Sequence, residues 1–194
     1  GDGPRAWTNA AAVDISTTQG TDTASGWAGN EYSFNGGAWS TGPTGMQVSA
    51  EGTTSVTVRS VDNAGNRSAA SAPVVVRIDR TAPAITAMDV DTNAGNGPQL
   101  TVAAADAGGS GLDGCQASVE LRGGLGDWVQ VLHANGPTLA HAAHMTLPMG
   151  SLPSGGYQVR LTLCDVAGNT AQRVVGFDWV RPGGATSAGG TAGS

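Results

Sequence analysis

The chain has 194 residues, includes nine arginines and no lysine, and carries a formal net charge of −6. This negative charge argues against a nucleic acid or an anionic membrane surface as the partner. No apolar run approaches the roughly 18 residues that cross a bilayer, so we expect no membrane insertion.

The two ends of the chain predict linkers rather than folded structure. The chain begins with Gly1–Pro4 and shows neither an initiator methionine nor a signal peptide. Residues 182–194 consist of one proline followed only by glycine, alanine, serine and threonine, which indicates a flexible tail or linker. We therefore expect a piece of a longer polypeptide.

Between these ends, strand patterns dominate and helical patterns are almost absent. No stretch keeps apolar residues at helical spacing over three turns. Val13–Thr18 and Gln99–Ala105 are predicted strands, and turn residues recur at roughly eight- to twelve-residue intervals. This pattern is typical of an all-β sandwich.

One motif occurs twice, about one hundred residues apart, which is close to the usual length of a sandwich domain. Asp62–Asn66 follows the alternating run Ser55–Ser60, and Asp165–Asn169 follows the alternating run Tyr157–Leu163. Each copy predicts a strand that enters a tight turn, with glycine where positive φ is needed. A further strand follows each turn, so the same hairpin closes two successive domains.

A longer block repeats upstream of each hairpin. An Asp/Gly/Ser loop precedes an alternating strand and a Gly-Gly turn, which leads to Trp39 in one copy and to Trp128 in the other. Their equivalent positions predict a shared packing role for these two indoles. The alternation predicts four inward-facing side chains, namely Tyr32, Phe34, Val119 and Leu121.

These motifs resemble the bacterial immunoglobulin-like repeats that occur in tandem on secreted and cell-surface proteins. The closest matches are Asn35–Trp39, Glu51–Thr53, Asp62–Asn66 and Ile78–Pro83, whereas Phe177–Pro182 departs from the pattern. The resemblance implies an all-β fold of two tandem Ig-like β-sandwich domains, joined end to end by a short linker. It also implies an extracellular location, either secreted or at the cell surface.

The domain boundary is predicted at the seam Ile78–Pro83. Pro83 cannot donate to a strand ladder and biases Ala82 toward extended geometry. We predict a first domain over residues 1–79 and a second over residues 80–181, followed by the tail.

The resemblance implies a non-catalytic structural or interaction module, such as a spacer or an adhesin-type segment of an extracellular bacterial multidomain protein. Two alternatives remain open: a glycan- or protein-binding module, and accessory domains of a secreted enzyme whose catalytic domain lies outside this chain. The partner is then an unknown protein or glycan, or the neighbouring domains of the same polypeptide.

No sequence feature indicates catalysis. No serine-hydrolase elbow, zinc-protease motif or phosphate-binding loop occurs. His133, His141 and His144 are expected to be solvated surface residues rather than metal ligands. We therefore expect no enzyme and no cofactor other than a bound cation.

Calcium is the candidate cation. In a sandwich of this topology, Asp106 and Asp165 lie at the domain's N-terminal end, beside Asp79 at the seam. Three carboxylates with loop carbonyls suit a hard cation, and the resemblance also implies calcium at such junctions. The alternative is that each aspartate only caps its own turn by accepting backbone N–H groups. Asp22 and Asp62 form the corresponding pair in the first domain.

The two cysteines, Cys115 and Cys164, predict a disulfide in a chain of extracellular type. They lie at the same end of neighbouring predicted strands. Strand parity opposes the bridge, because Cys115 shares parity with inward residues and Cys164 does not. The bridge therefore needs a bulge or a strand end that has left the ladder.

Trp27 is the candidate contact residue. It lies in the sequence Gly26-Trp27-Ala28-Gly29, which predicts an exposed loop, and it has no counterpart in the second domain. An exposed indole suits binding of a glycan or a protein.

Overall fold

The structure, a computed structural model, describes residues 7–94, 97–112, 116–135 and 145–182. Gly1–Pro4, the tail beyond residue 182, Cys115, His141 and His144 lie outside the described residues. Within them the chain forms β-strands and turns, with no helix. No described segment therefore offers a helix of the length and apolar character that crossing a membrane requires.

The chain divides into two compact units. Among the described residues, unit 1 contains 7–83, 106–112 and 165–169, and unit 2 contains the others. The last two of these segments lie within the predicted second domain, residues 80–181. The predicted boundary between residues 79 and 80 stays a prediction.

Unit 1 contains two antiparallel sheets. Its strands are β1 (Val13–Ser16), β2 (Trp27–Phe34), β3 (Ser40–Gly42), β4 (Gly45–Val48), β5 (Gly52–Asp62) and β6 (Val74–Ile78). Strand β1 pairs with β4, and the other sheet has the order β3-β2-β5-β6. Thr8 adds a parallel bridge to Ile78 at the edge of the larger sheet.

The core of unit 1 follows from the period-two alternation of these strands. The buried apolar cluster consists of Ile15, Tyr32, Val48, Val56, Val76 and Ile78. Tyr32 is fully buried and Phe34 packs against the cluster, so both predicted inward positions are confirmed. Burial of alternate apolar residues on facing sheets is what stabilises a sandwich.

Unit 2 also contains two antiparallel sheets. Its strands are β7 (Ala84–Asp91), β8 (Gln99–Ala105), β9 (Gln116–Gly123), β10 (Val129–Asn135), β11 (Met145–Thr146), β12 (Gly155–Cys164) and β13 (Thr170–Trp179). The sheet orders are β11-β8-β7 and β10-β9-β12-β13. The predicted strand over residues 99–105 is therefore present with those bounds.

The inner face of unit 2 is set by strands β9 and β12. Val119 and Leu121 are buried as predicted, opposite Leu161 and Val159 in the strand register. Tyr157 at the start of β12 donates its hydroxyl to the Pro153 carbonyl at 3.0 Å. The all-β sandwich fold predicted from the alternating patterns is confirmed.

Candidate metal centre and other site residues

Three aspartates converge in unit 1. Asp79 follows β6, Asp106 follows β8 and Asp165 follows β12, and one carboxylate oxygen from each lies within 4.8 Å of the others. Asp79 and Asp165 are buried, and Asp106 is half-buried. We call this group the three-aspartate corner. It contains all three residues that the sequence analysis named as calcium ligands, and their binding of calcium stays a prediction.

The turn after β12 positions Asp165. Its carboxylate accepts the backbone N–H of Asn169 at 2.8 Å and the side-chain amide of Asn169 at 2.7 Å. Gly168 has φ of 94°, the positive value for which the motif provides a glycine. The Asn169 amide also donates to the backbone carbonyl of Asp79 at 2.9 Å. Asn169 thus links this turn to the segment after β6.

The loop after β8 positions Asp106. Its carboxylate accepts the backbone N–H groups of Gly108 at 3.1 Å and of Gly111 at 2.6 Å. The Ser110 hydroxyl lies 3.4 Å from the same carboxylate. Asp106 therefore caps its own loop by accepting backbone N–H groups, which is the role that the alternative interpretation assigns to it.

Asp79 is the residue that completes the corner. It is fully buried and accepts the backbone N–H groups of Thr81 at 2.9 Å and of Ser110 at 3.0 Å. Burial raises the pKa of Asp79, but hydrogen bonds from Ser110 and Thr81 outweigh burial and hold the pKa below its usual value. A side chain at Gly108 would overlap the Asp79 carboxylate, so this loop position requires glycine.

No ion pair among the described residues neutralises the three-aspartate corner. Ion pairs between described residues are Arg59–Glu31, Arg67–Glu31, Arg80–Glu51 and Arg160–Glu120. None of these pairs includes a member of the three-aspartate corner. Two unit charges about 4 Å apart repel by about 4 kcal/mol at an effective dielectric constant of about 20.

The donor set fits a hard cation. Each carboxylate oxygen has lone pairs beyond those that accept the N–H groups, so turn capping and cation binding are compatible. Oxygen-only ligands on loops suit Ca²⁺, whereas Zn²⁺ prefers nitrogen and sulfur. The corner therefore offers three carboxylates, from segments that are distant in the sequence, that could hold a divalent cation.

A two-aspartate corner, formed by Asp22 and Asp62, occurs elsewhere in unit 1. Asp62 accepts the backbone N–H and the side-chain amide of Asn66, both at 2.7 Å. The Ser25 hydroxyl lies 2.7 Å from a carboxylate oxygen of each aspartate. Hydrogen bonds from Asn66 and then Ser25 lower the pKa of Asp62 to about 2. Ala24 donates its N–H to Asp22 at 3.0 Å, as Gly108 does to Asp106.

Sequence reasoning missed Gly108 and Asn169 as residues that build the site. The signal for Gly108 is a difference between two equivalent loops. The residue two positions after Asp106 is Gly108, whereas the residue two positions after Asp22 is Ala24. Among the described residues, no third carboxylate joins Asp22 and Asp62 at this corner. The signal for Asn169 is its place at the end of the repeated turn motif.

The predicted disulfide falls partly outside the described residues, because Cys115 is not among them. Cys164 ends β12, and its sulfur lies 2.8 Å from the backbone carbonyl of Gln116, the residue that follows Cys115 in the chain. This contact places the sulfur at the end of β12 beside the first residue of β9. The bridge between Cys115 and Cys164 stays a prediction.

Trp27 is not in an exposed loop, and that expectation is wrong. It is the first residue of β2, is half-buried, and pairs with Asp62 ahead of a register shift in the ladder. Gly26 and Gly29 have no side chains, so the alternation of apolar and polar side chains that marks a strand is missing at the start of β2. The Trp27 Nε1 is buried without a hydrogen-bond partner among the described residues. Its role as a binding residue stays a prediction.

Trp39 and Trp128 both pack against arginine side chains. The Arg59 guanidinium lies 4.2 Å from the centre of the Trp39 ring. Two arginines, Arg122 and Arg160, lie 4.5 Å and 4.3 Å from the Trp128 ring. These contacts agree with the predicted packing role. His133, the histidine that the structure describes, is exposed in β10.

Comparisons with known proteins give structural matches only. No family model and no curated protein sequence matches the chain. It is similar to the FN1–FN3 domains of chicken CNTN1, with 12% identity and a TM-score of 0.44, over 93% of this chain and 64% of that one. It is also similar to carbohydrate-binding modules from the beta-sandwich superfamily, with 14% identity and a TM-score of 0.25, over 89% and 98% of the two chains. The fold assignment rests on the strands described above rather than on these distant matches.

Proposed function

We propose that the chain is a non-catalytic structural and interaction module of an extracellular multidomain protein, stabilised by Ca²⁺ at the three-aspartate corner. The observation that carries the proposal is the convergence of Asp79, Asp106 and Asp165 within 4.8 Å, with two of the three side chains buried. Its partners are the neighbouring domains of the same polypeptide or an external protein or glycan.

Calcium suits the corner better than other common divalent cations. Ca²⁺ takes six to eight oxygen ligands in a flexible geometry, which loop carboxylates and carbonyls supply. Mg²⁺ demands near-ideal octahedral geometry and keeps several waters, so buried carboxylates on three separate segments suit it less well. Ca²⁺ sites in extracellular modules bind with dissociation constants of about 0.1–1 mM.

The bound cation would neutralise the repulsion between the three carboxylates. The residues themselves supply the rest of the arrangement. Asn169 fixes the turn after β12 against the Asp79 backbone, and the Ser110 N–H fixes the loop after β8 against the Asp79 carboxylate. A cation that binds only this folded arrangement stabilises it by mass action, by about 1.4–2.7 kcal/mol at 10–100 times the dissociation constant.

Thermal unfolding with and without Ca²⁺ tests this proposal. At about 10 mM Ca²⁺ we expect the melting temperature to rise by roughly 3–10 °C relative to EDTA. Asp106→Asn should abolish the rise, because it removes one charged ligand while keeping one oxygen, which can still accept one of the two loop N–H groups. Asp22→Asn in the two-aspartate corner is the matched control and should keep the full rise.

Two results would contradict the proposal. One is a melting temperature that Ca²⁺ leaves unchanged in the unmodified protein. The other is an equal rise in the unmodified protein and in Asp106→Asn, which would place the effect elsewhere. An equal rise with Mg²⁺ at the same concentration would contradict the assignment of the cation as calcium.

A further inference from the structure

Trp128 in unit 2 holds two arginines in fixed positions. The guanidinium groups of Arg122 and Arg160 lie 4.5 Å and 4.3 Å from the Trp128 ring centre. Stacking of this kind fixes a guanidinium plane as well as attracting its charge. Both side chains therefore have defined orientations beside the sheet β10-β9-β12-β13.

The two arginines differ in what their hydrogen-bonding edges contact. Arg160 forms a bidentate pair with Glu120, with both N···O distances at 2.7 Å. Arg122 instead donates its Nε to the Gln158 side-chain oxygen at 2.8 Å. Its two Nη groups have no hydrogen-bond or ion-pair partner in the described part of the chain. The Arg160 guanidinium is paired with a carboxylate. The Arg122 guanidinium is held in place by Trp128 and Gln158, and within the described residues its two Nη groups remain available to a ligand.

Arg122 lines a shallow, open groove with a volume of about 500 Å³. Two glycines of neighbouring strands, Gly156 and Gly176, contribute to its lining and leave backbone uncovered. Gln158 and Asp178 supply polar groups, and Leu125 supplies a fully exposed apolar side chain. The groove thus combines one open cationic fork, one carboxylate, an amide and an apolar contact.

This combination selects a ligand chemistry. An open guanidinium fork matches a carboxylate or a phosphate bidentately. The Asp178 carboxylate disfavours a multiply charged phosphate and accepts hydrogen bonds from hydroxyl groups. The Gln158 amide nitrogen donates to a hydroxyl or ring oxygen, and the uncovered glycine backbone lets a sugar ring approach the sheet closely.

We propose that this groove binds a carboxylate-bearing sugar, a hexuronic acid residue of an acidic oligosaccharide, with Arg122 holding the carboxylate. The neighbouring hydroxyls contact Asp178 and Gln158, and the apolar face of the ring contacts Leu125. The site lies within unit 2 and is independent of the proposed calcium site.

Titration of the full 194-residue chain with tetragalacturonate, followed by amide NMR shifts and calorimetry, tests the proposal. The carboxyl-reduced, neutral form of the same tetrasaccharide is the matched ligand. We expect the acidic form to bind at least about tenfold more tightly, a ratio that corresponds to 1.4 kcal/mol. The shifts should map to Arg122, Gln158 and Gly176.

Two variants remove the site by different routes. Arg122→Gln keeps a polar side chain but lacks the fork, and should weaken binding about tenfold or more. Gly176→Val places a side chain in the groove that Gly176 lines. The strand should tolerate it, because an added Cβ meets only the Tyr157 carbonyl at 3.8 Å and valine is favoured in strands. Gly29→Val, in β2, is the matched control, since its Cβ meets only Thr41 at 4.0 Å, and it should bind normally.

The proposal is overturned by any of four results. These are no binding at about 10 mM tetragalacturonate, equal affinity for the neutral tetrasaccharide, unchanged affinity in Gly176→Val, and shifts confined to residues outside the groove. A short peptide with a free C-terminal carboxylate that binds as tightly as the sugar would also overturn it, in favour of peptide recognition.

Discussion

The two acidic corners of unit 1 share a turn and a loop of the same kind but, among the described residues, differ by one carboxylate. In the two-aspartate corner, Asp22 and Asp62 are separated by the Ser25 hydroxyl, and neither side chain is fully buried. In the three-aspartate corner, a carboxylate oxygen of Asp79 lies within 4.8 Å of one from each of the other two aspartates, and Asp79 is fully buried. The comparison teaches that a repeated motif specifies the capped turn, whereas the third carboxylate comes from Asp79, a residue outside that motif.

The third carboxylate also changes what its neighbours must be. In the part of the chain that the structure describes, Asn66 donates its side-chain amide only to Asp62, whereas Asn169 donates to both Asp165 and the Asp79 backbone. The loop position that tolerates alanine in one corner requires glycine in the other. The predictions that follow separate the two corners by substitutions at these equivalent positions.

The largest difference is expected at the glycine position. Gly108→Ala would place a methyl group on the Asp79 carboxylate, and we expect it to lower the free energy of unfolding by about 3 kcal/mol. The reverse change in the other corner, Ala24→Gly, should cost at most about 1 kcal/mol through backbone entropy. Urea denaturation of both variants measures these values, and an equal cost for both would contradict a buried Asp79 beside Gly108.

A smaller difference is expected at the asparagine position. Asn169→Ala removes the side-chain amide that donates to the Asp79 carbonyl and to one Asp165 carboxylate oxygen, whereas the backbone N–H of residue 169 still donates to the other oxygen. We expect it to lower the free energy of unfolding by about 1–3 kcal/mol. Asn66→Ala loses the single contact to Asp62 at a more exposed site and should cost about 1 kcal/mol or less. Denaturation in EDTA keeps the comparison free of cation effects. A larger loss in Asn66→Ala would reverse the predicted order.

The smallest effect is a pH dependence in the two-aspartate corner. The folded-state pKa of Asp62 is about 2, below its ordinary value of 3.8. This carboxylate therefore contributes stability that is complete above about pH 4 and is lost as the pH falls toward 2. Asp62→Asn should flatten that part of the stability curve, measured by thermal unfolding between about pH 5 and pH 2. A curve of unchanged steepness would contradict the assigned pKa shift.

The sequence predicted the fold through period-two alternation. Tyr32, Val119 and Leu121 were placed inward because apolar residues recur at every second position, and burial of a sheet face leaves little freedom of register. The sequence also named the three aspartates, because the two loops that carry Asp106 and Asp165 leave the same end of their strands. Alternation depends on neighbouring residues, and the position of a loop depends on the order of the strands. Both can be recognised in a single amino-acid sequence.

The features that the sequence did not reveal depend on contacts between distant residues. Trp27 was misplaced in a loop, because the glycines around it hide a strand that the pairing with β5 establishes. The open fork of Arg122 is visible only once Gln158 and Trp128 are seen to hold it. Charge composition gave no hint of it, since the chain as a whole is negative.

The central claim is that three carboxylates bind a calcium ion and two do not. Calorimetric titration of the apo protein with Ca²⁺ counts the sites directly. We predict one bound Ca²⁺ per chain in the unmodified protein and in Asp22→Asn, and none in Asp106→Asn. A site that survives in Asp106→Asn, a second site that Asp22→Asn removes, or no bound Ca²⁺ in the unmodified protein would each contradict the account.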